Sequence, residues 1–462
     1  MGNTDISKVL EYIDDNFEHS LERLKQLLAY KSISTDLAYK QNCKDTAQWL
    51  VNELTGLGFK AQLRETPGHP MVVAHSNDGA ENTPHVLFYG HYDVQPVDPI
   101  ELWHGDPFVA RREIQNGEEV IVARGSSDDK GQLMTFIEAC RAYKAVHNSL
   151  PIKVSILFEG EEESGSPSLI PFLKENKNEL KADFALVCDT SMWDRQTPSV
   201  TVGLRGMLAQ EIVVKAAERD LHSGIYGGVA ANPLTILAKI LGEIKDVNGH
   251  INIPDFYEGV EDTPPEILAM WQSLGCEEAD FLGPIGLSKK FGEQDRTLLE
   301  CIWARPTAEI NGIEGGYTGA GFKTVIPSQA RAKISFRLVH RQDPEKIRQS
   351  FKAFVKQRIP SDCTVEFIDY GASPAIQLPY DLPFLQKASA ALTEEWGKDT
   401  VLIASGGSIP VVGDFQKILD MQSLLVGFAL DDDNIHSPNE KYDVKAFHKG
   451  QRSWARILAA LA

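Results

Sequence analysis

The sequence predicts an α/β protein with helices on both faces of a mixed sheet, interrupted by an inserted α+β unit. Two observations indicate this fold class. Short apolar segments alternate with helical patterns in the first 205 residues, and this alternation returns after about residue 377. From about residue 206 the pattern changes to longer strands and separate helices. We therefore expect one domain in two pieces, 1–205 and 373–462, with a second domain at 206–372.

The first piece begins with helical patterns and continues with buried strands. Apolar residues recur at helical spacing up to about residue 24, and a run over 45–57 ends at Gly58, which suits a helix C-terminus. Another amphipathic helix is predicted over 131–146. Short apolar segments bounded by turn residues predict strands at 71–74, 86–89, 120–123, 154–158 and 184–188. In such sheets, functional side chains lie where strands end.

The inserted unit has strands and helices that do not alternate regularly. Its predicted elements are strands at 209–216, 330–339 and 364–370 and helices at 232–245 and 344–358. The stretch 248–321 is rich in proline and glycine and is predicted to be irregular. The last piece is predicted to contain a helix from Leu382, strands near Val401 and Leu424, and a final helix from Val444.

Composition and charge argue against several classes of protein. The 462 residues are 42% apolar and 24% charged, as in globular proteins with a buried core. With 46 basic and 65 acidic side chains the net charge is −19, which argues against nucleic acid and anionic membranes as partners. The first twenty residues lack a secretory signal pattern, and no apolar run reaches membrane-span length. Six cysteines without paired spacing indicate reduced thiols, so we expect a cytoplasmic enzyme.

Histidine and acidic residues follow predicted strands at several places. They are His91 and Asp93 in FYGHYDVQP, Asp128 in ARGSSDDKG, Glu161, Glu162 and Glu163 in FEGEEESGS, Asp189 in LVCDTS, and His436 in NIHSPNE. Consecutive glutamates after an apolar strand repel one another and need cations nearby. Two imidazoles with several carboxylates suit divalent zinc, manganese or cobalt. The sequence therefore predicts a divalent metal site.

In order and spacing, these motifs resemble metallopeptidase family M20, and in particular its cytosolic non-specific dipeptidases and carnosinases. The resemblance extends over about residues 10–460. It implies a catalytic domain with two divalent ions, zinc or manganese, and an inserted lid domain through which two chains form a homodimer. It also implies hydrolysis of the amide bond of dipeptides or other short peptides by a water that two metals activate.

The resemblance implies a role for each motif residue. The implied ligands are His91 and Asp189 on one metal, Glu163 and His436 on the other, and Asp128 between the two. Asp93 would orient the imidazole of His91, as metal-bound histidines usually require. Glu162 would act as the general base. The family's acidic pair directly precedes a Ser-Gly or Thr-Gly pair, so the Ser164-Gly165 pair leaves Glu161 outside the metal shell.

Four further positions match substrate-contacting residues of the family. They are His222 in DLHSG, Thr324 in KTVIP, Arg337 in ISFRL and Ser408 in GGSIP. Arg337 would bind a substrate carboxylate, because a planar guanidinium can hold two oxygens. Alternation along its strand places Arg337 on the face opposite Ile334 and Phe336. His222 would act in the active site of the other subunit of the dimer.

One departure leaves the substrate open. Dipeptidases of this branch commonly carry Arg-Glu before Gly-Gly-Ser-Ile-Pro, where this chain has Ala404 and Ser405. The alternative function is therefore an M20 amidohydrolase that deacylates N-acyl or modified amino acids. A binding or scaffold protein with an inactive site is a third hypothesis, against which the complete set of metal positions argues.

Two other motifs are discounted as binding sites. The stretch 316–324 lacks the adjacent Gly-Lys pair of a phosphate-binding loop, and a strand rather than a helix is expected after it. The acidic run 431–433 lacks the spacing of a calcium-binding loop and is expected to be a solvated loop that leads to His436.

Overall fold

The computed structural model describes residues 6–76, 78–407 and 409–462. Its helices are α1 (Ile6–Asp15), α2 (Phe17–Leu28), α3 (Lys40–Gly56), α4 (Lys130–His147), α5 (Leu169–Glu175), α6 (Lys177–Leu180), α7 (Ser223–Tyr226), α8 (Pro233–Gly242), α9 (Pro265–Ser273), α10 (Glu278–Leu282), α11 (Leu298–Trp303), α12 (Pro344–Lys356), α13 (Pro383–Trp396), α14 (Pro410–Asp414) and α15 (Val444–Leu461). Short 3₁₀ turns lie at Leu37–Tyr39, Ile100–Leu102, Glu162–Ser164 and Gly283–Ile285, and a π-helical turn at Phe415–Leu419. Among the described residues, none of these helices combines the length and the hydropathy that a membrane span requires.

The strands account for most of the predicted apolar segments. They are β1 (Lys60–Arg64), β2 (Met71–Ser76), β3 (His85–His91), β4 (Arg111–Gln115), β5 (Glu118–Val122), β6 (Lys153–Glu159), β7 (Phe184–Val187), β8 (Ser199–Leu204), β9 (Gly206–Lys215), β10 (Leu221–His222), β11 (Thr307–Gly315), β12 (Val325–Ile326), β13 (Gln329–Leu338), β14 (Thr364–Ser373), β15 (Ile376–Gln377), β16 (Val401–Ser405), β17 (Ser423–Leu425) and β18 (Lys441–Asp443). Strands and helices together confirm the predicted mixed α/β class.

The chain divides into two compact units. The first contains the residues up to Val202 together with Leu378–Ile403 and Asp414–Ala462, and the second contains Gly203–Gln377 and Ala404–Gly413. Residues 404–413, which the sequence predicts in the first domain, therefore cluster with the second unit.

The first unit is built on a mixed sheet whose strand order begins β1-β2-β6-β3-β7-β17-β8. β3 is parallel to both β6 and β7, and β17 is parallel to β7. β5 does not join this sheet, although the sequence predicts it among the same strands. It pairs instead with β4 and β18 in an antiparallel sheet. The β5–β18 pair brings the chain that follows β5 close to the chain that precedes β18.

Aromatic side chains from β3, α4 and α15 fill the core of the first unit. The rings of Phe88 and Phe136 stack at 3.7 Å between centroids, and Trp454 meets both edge-on. All three side chains are fully buried. Hydrophobic residues of α1, α4 and α15 extend this cluster. The helices predicted from the sequence thus pack their apolar faces in the core that includes β3.

The second unit contains an antiparallel sheet with strand order β11-β13-β9-β14. Ile334 and Phe336 point from β13 into a core that α8 and α12 cover, as the alternation of the sequence predicts. The prediction that 248–321 is irregular is wrong, because β11 and the helices α9, α10 and α11 lie there. β11 carries mostly exposed side chains and is held by its register with β13, so its sequence shows no apolar alternation.

We expect Phe88→Ala to lower the free energy of unfolding by about 3–5 kcal/mol, because it removes a buried ring from a packed aromatic cluster. Urea denaturation measures this change. Leu37→Ala is the matched control, because Leu37 is 83% exposed in the same unit, and it should alter the free energy of unfolding by no more than about 0.5 kcal/mol. A similar loss in both variants would contradict the described core.

Candidate metal centre

His91 is the last residue of β3, and its fully buried imidazole faces acidic groups on both sides. Its Nε2 lies 3.0 Å from Oδ1 of Asp128 and 3.9 Å from Oδ2 of Asp189. Its Nδ1 lies 3.4 Å from Oδ1 of Asp93 and 3.2 Å from the Asp93 carbonyl oxygen. One ring nitrogen therefore points to two candidate ligands and the other to an orienting residue, which is the arrangement of metal-binding histidines.

Asp128 lies between β5 and α4 and is shared by two groups of acidic and imidazole side chains. Its Oδ2 is 3.0 Å from Nε2 of His436, and the same nitrogen is 3.2 Å from Oε2 of Glu163. One group contains His91, Asp128 and Asp189, and the other contains Asp128, Glu163 and His436. Within each group the candidate ligand atoms lie within 4.8 Å of one another. The structure thus brings together all five residues that the sequence predicts as ligands.

The three consecutive glutamates have different environments. Glu161 is buried, and its two carboxylate oxygens accept hydrogen bonds from the backbone amides of His69 at 3.0 Å and Ser168 at 3.1 Å. Glu162 and Glu163 are half-buried in the 3₁₀ turn that follows. Glu161 is therefore engaged in holding loops together, which leaves the other two carboxylates to face the site.

Asp93 connects this turn to His91. Its Oδ1 accepts a hydrogen bond from the Glu162 amide at 3.3 Å, and its Oδ2 accepts one from the Glu163 amide at 3.0 Å. The side-chain Nε2 of Gln95 donates to Oε2 of Glu163 at 2.7 Å. A single fully buried carboxylate thus fixes both an imidazole and the two glutamates, a role that the sequence implies only for the imidazole.

Glu440 is a site residue that the sequence analysis misses. Its buried carboxylate accepts hydrogen bonds from the amides of Gly125 and Ser127, each at 2.9 Å, and of Asp128 at 3.0 Å. The guanidinium of Arg124 also donates to it at 2.9 Å. These contacts fix the loop that presents Asp128. Its place at the end of the NIHSPNE motif, directly before β18, is the signal that could have identified it.

The electrostatics of the site reflect crowded negative charge. Burial, and then the charge of Asp128, raise the pKa of Asp189 to about 7. Hydrogen bonds to Asp128 and Glu163 raise the pKa of His436 to about 10. Burial opposes ionisation of Asp128, but hydrogen bonds from both imidazoles lower the pKa of its carboxyl below the usual range. In this arrangement protons on the imidazoles balance the carboxylates.

Two divalent cations fit this donor set. Each group offers an imidazole nitrogen and carboxylate oxygens, which are ligands for zinc and manganese, and Asp128 has one oxygen towards each group. Cations in these positions can replace the imidazole protons as the balancing charge. Neutral imidazoles would then be available as ligands.

The predicted substrate residues that the structure describes lie in the second unit. His222 ends β10, and Ser223 donates its amide to the carbonyl of Thr324 at 3.1 Å, so His222 and Thr324 are near neighbours. Nδ1 of the exposed His222 accepts the amide of Gly224 at 2.9 Å, which leaves Nε2 to carry the proton of a neutral ring. Arg337 is half-buried on β13, on the face opposite the core. Ser408 lies outside the described residues.

Comparison with known proteins places the chain in a family. Residues 87–460, more than half of the chain, match the family model described as peptidase family M20/M25/M40. The chain belongs to this family. The resemblance of its sequence motifs to M20 peptidases is thereby confirmed.

Individual relatives of this M20 chain agree with the family. It is 32% identical over 451 residues to the Cys-Gly metallodipeptidase DUG1 of Candida albicans, covering 93% of this chain and 92% of that protein. It is 27% identical over 477 residues to the Beta-Ala-His dipeptidase of Homo sapiens, covering 99% and 93%. The solved M20 family metallo-carboxypeptidase Sso-CP2 of Sulfolobus solfataricus is 31% identical with a TM-score of 0.77, covering 96% and 99%. This chain is therefore an enzyme of the hydrolase class.

We expect elemental analysis after reconstitution with zinc or manganese to find two divalent ions per chain, because two donor groups are present. Asp128→Ala should lose both ions, since Asp128 belongs to both groups, whereas Glu163→Ala should lose one. Asp399→Ala, at an exposed position, is the control and should retain both. Retention of both ions by Asp128→Ala would contradict a shared carboxylate.

Proposed function

We propose that this chain hydrolyses the amide bond of dipeptides or other short peptides with two divalent ions, zinc or manganese. The observation that carries the proposal is the single carboxylate of Asp128 shared between two donor groups, with Glu162 beside Glu163 in the adjoining turn. The names of the relatives support the substrate class, since the proteins of Candida albicans and Homo sapiens are both named dipeptidases.

In the proposed mechanism the chain's own residues bind the metals, position the substrate and move one proton. His91 and Asp189 would hold one ion, Glu163 and His436 the other, and Asp128 both. When bound, the ions polarise the amide carbonyl and lower the pKa of a water molecule. Glu162 accepts the proton of that water as it attacks the carbonyl carbon, and then returns the proton to the leaving amine. This cycle needs no covalent intermediate.

The second unit would act as the lid that binds the substrate. Arg337 would bind the carboxylate at the end of the peptide, which limits the substrates to short ones. His222, Thr324 and Ser408 would contact the substrate in a homodimer formed through this unit. We place the enzyme in the cytoplasm, consistent with cysteines that are all free thiols.

The alternative of an N-acyl amino acid amidohydrolase is not favoured. The small residues Ala404 and Ser405 before the GGSIP motif are the feature that suggests it. Relatives that match nearly the whole chain at 27–32% identity are named dipeptidases. Hydrolysis rates on free dipeptides compared with N-acetyl amino acids separate the two activities.

We expect Glu162→Gln to retain both metals but to lower kcat by about 10²–10⁴-fold, because the amide keeps the size of the side chain and cannot accept the proton. Steady-state hydrolysis of a dipeptide, together with elemental analysis of the same preparation, measures both quantities. Turnover at the wild-type rate would exclude Glu162 as the base.

Glu161→Gln is the matched control for this prediction. It removes one of two acceptors for the amides of His69 and Ser168, so it should lower the melting temperature. At temperatures well below melting it should retain turnover. A folded but inactive Glu161→Gln protein with an active Glu162→Gln protein would shift the assignment by one residue.

We expect His222→Ala to bind both metals and to lose turnover by about 10²–10³-fold, because Nε2–H of His222 would stabilise the oxyanion in the partner's site. Mixing inactive His222→Ala and Glu162→Gln chains should then restore activity. Random exchange gives hybrids in which one site has both native residues, so recovery should approach about a quarter of the wild-type rate. Hybrids that form without any recovery would show that His222 does not act across the dimer.

A further inference from the structure

Arg205 lies directly before β9, next to the strand β13 that carries Arg337. Met207 of β9 is the register partner of Arg337 of β13. Arg205 precedes Met207 by two residues and stands just before β9 begins, so continued alternation would place its side chain on the face of Met207 and Arg337. The charge of Arg337 acts on Arg205, which agrees with this placement. The opposite face carries the buried residues Leu208 and Phe336. Two guanidinium groups therefore occupy adjacent positions outside the core.

The Arg205 side chain is also held against the chain segment that leads to the GGSIP motif. Its backbone amide donates to the carbonyl of Ser405 at 3.4 Å, and its Nε donates to the carbonyl of Gly406 at 3.2 Å. A β-carbon added at Gly406 would lie 2.9 Å from Nη2 of Arg205. The guanidinium thus lies directly over a glycine, and within the described residues its two terminal nitrogens make no hydrogen bond.

Charge around Arg205 is incompletely balanced. Arg205 lines a cavity of about 410 Å³. Two other basic residues of this cavity have acidic partners: Lys245 pairs with Glu309 at 2.7 Å, and Arg305 pairs with Glu293 at 2.6 Å. In the described part of the chain, by contrast, neither Arg205 nor Arg337 has a carboxylate within 4.0 Å. Burial and then the positive charge of Arg337 lower the pKa of Arg205 to about 10, although the charge of Glu309 acts in the opposite direction. An anion that contacts both groups would relieve this repulsion.

We propose that Arg205 and Arg337 form one anion subsite that binds the terminal carboxylate of the substrate, with each guanidinium donating to it. The inference rests on the proposed peptidase function and adds Arg205 as a substrate-binding residue. The ligand class is a free carboxylate next to the scissile amide, and carboxamides and esters should be poor ligands. Charge-assisted hydrogen bonds from two planar guanidinium groups also orient the carboxylate more firmly than those from a single guanidinium group.

The test compares a free acid with its amide, using alanyl-leucine and alanyl-leucinamide as substrates. For Arg205→Gln we expect the preference for the acid to fall by about tenfold or more, mostly through KM, because one charge-assisted hydrogen bond is lost. Arg331→Gln is the control, because Arg331 lies on the same face of β13 and pairs with Glu211. Its acid preference should not change.

A second variant displaces the guanidinium without removing its charge. Gly406→Ala inserts a methyl group at the position that lies 2.9 Å from Nη2 of Arg205. We expect a smaller loss of acid preference than in Arg205→Gln, with an unchanged melting temperature. An equal loss on the acid and the amide in both variants would show a structural role only, and unchanged acid preference in both would exclude Arg205 from the subsite.

Calorimetry with L-leucine and leucinamide separates this inference from the proposed function, because it requires no turnover. Tighter binding of leucine that Arg205→Gln abolishes would support the subsite even if the wild-type chain hydrolysed no dipeptide. Hydrolysis of alanyl-leucine with full acid preference in Arg205→Gln would overturn the subsite and leave the peptidase function standing.

Discussion

The structure depends on positive charge and hydrogen-bond donors that compensate several carboxylates packed into one site. Asp128, Asp189 and Glu163 converge on two imidazoles, and like charges at such separations strongly oppose one another away from bulk water. The surrounding chain stabilises these charges mainly with oriented backbone donors. Backbone amides bind Asp93, and backbone amides with the guanidinium of Arg124 bind Glu440 behind the ligands. The ligand atoms of the two donor groups are then left to bind divalent cations.

The fold makes this convergence possible through parallel strands. β6, β3 and β7 are adjacent and parallel, so their carboxyl ends meet at one edge of the sheet. His91 ends β3, while the glutamate turn and Asp189 follow β6 and β7. The antiparallel pair of β5 and β18 adds the loops that carry Asp128 and His436. Residues distant in sequence thus become ligands of one site.

The sequence predicts the parts whose signal is local. β3, β6 and β7 are buried on both faces, so each stands out as an apolar run followed directly by polar site residues. Contacts made by backbone amides leave no such pattern, so the only sequence signal for Glu440 is its position directly before β18. The expectation of a solvated loop at 431–433 is wrong for Asp433, which is fully buried between Ser127 and Lys441. In a run of acidic residues, the local sequence does not indicate which side chain is buried and paired.

Each unit contains a group of side chains with like charge. In the first unit these are the carboxylates around Asp128, whereas in the described part of the second unit they are Arg205 and Arg337, neither of which has a carboxylate within 4.0 Å. The chain has 65 acidic side chains and a net charge of −19, so acidic residues are abundant. The lack of a carboxylate close to these two arginines therefore has another reason. A short peptide offers both an amide carbonyl for polarisation and a carboxylate one residue away. The free carboxylate of a short peptide would supply the anion that the proposed arginine subsite lacks, which an internal segment of a long peptide cannot do.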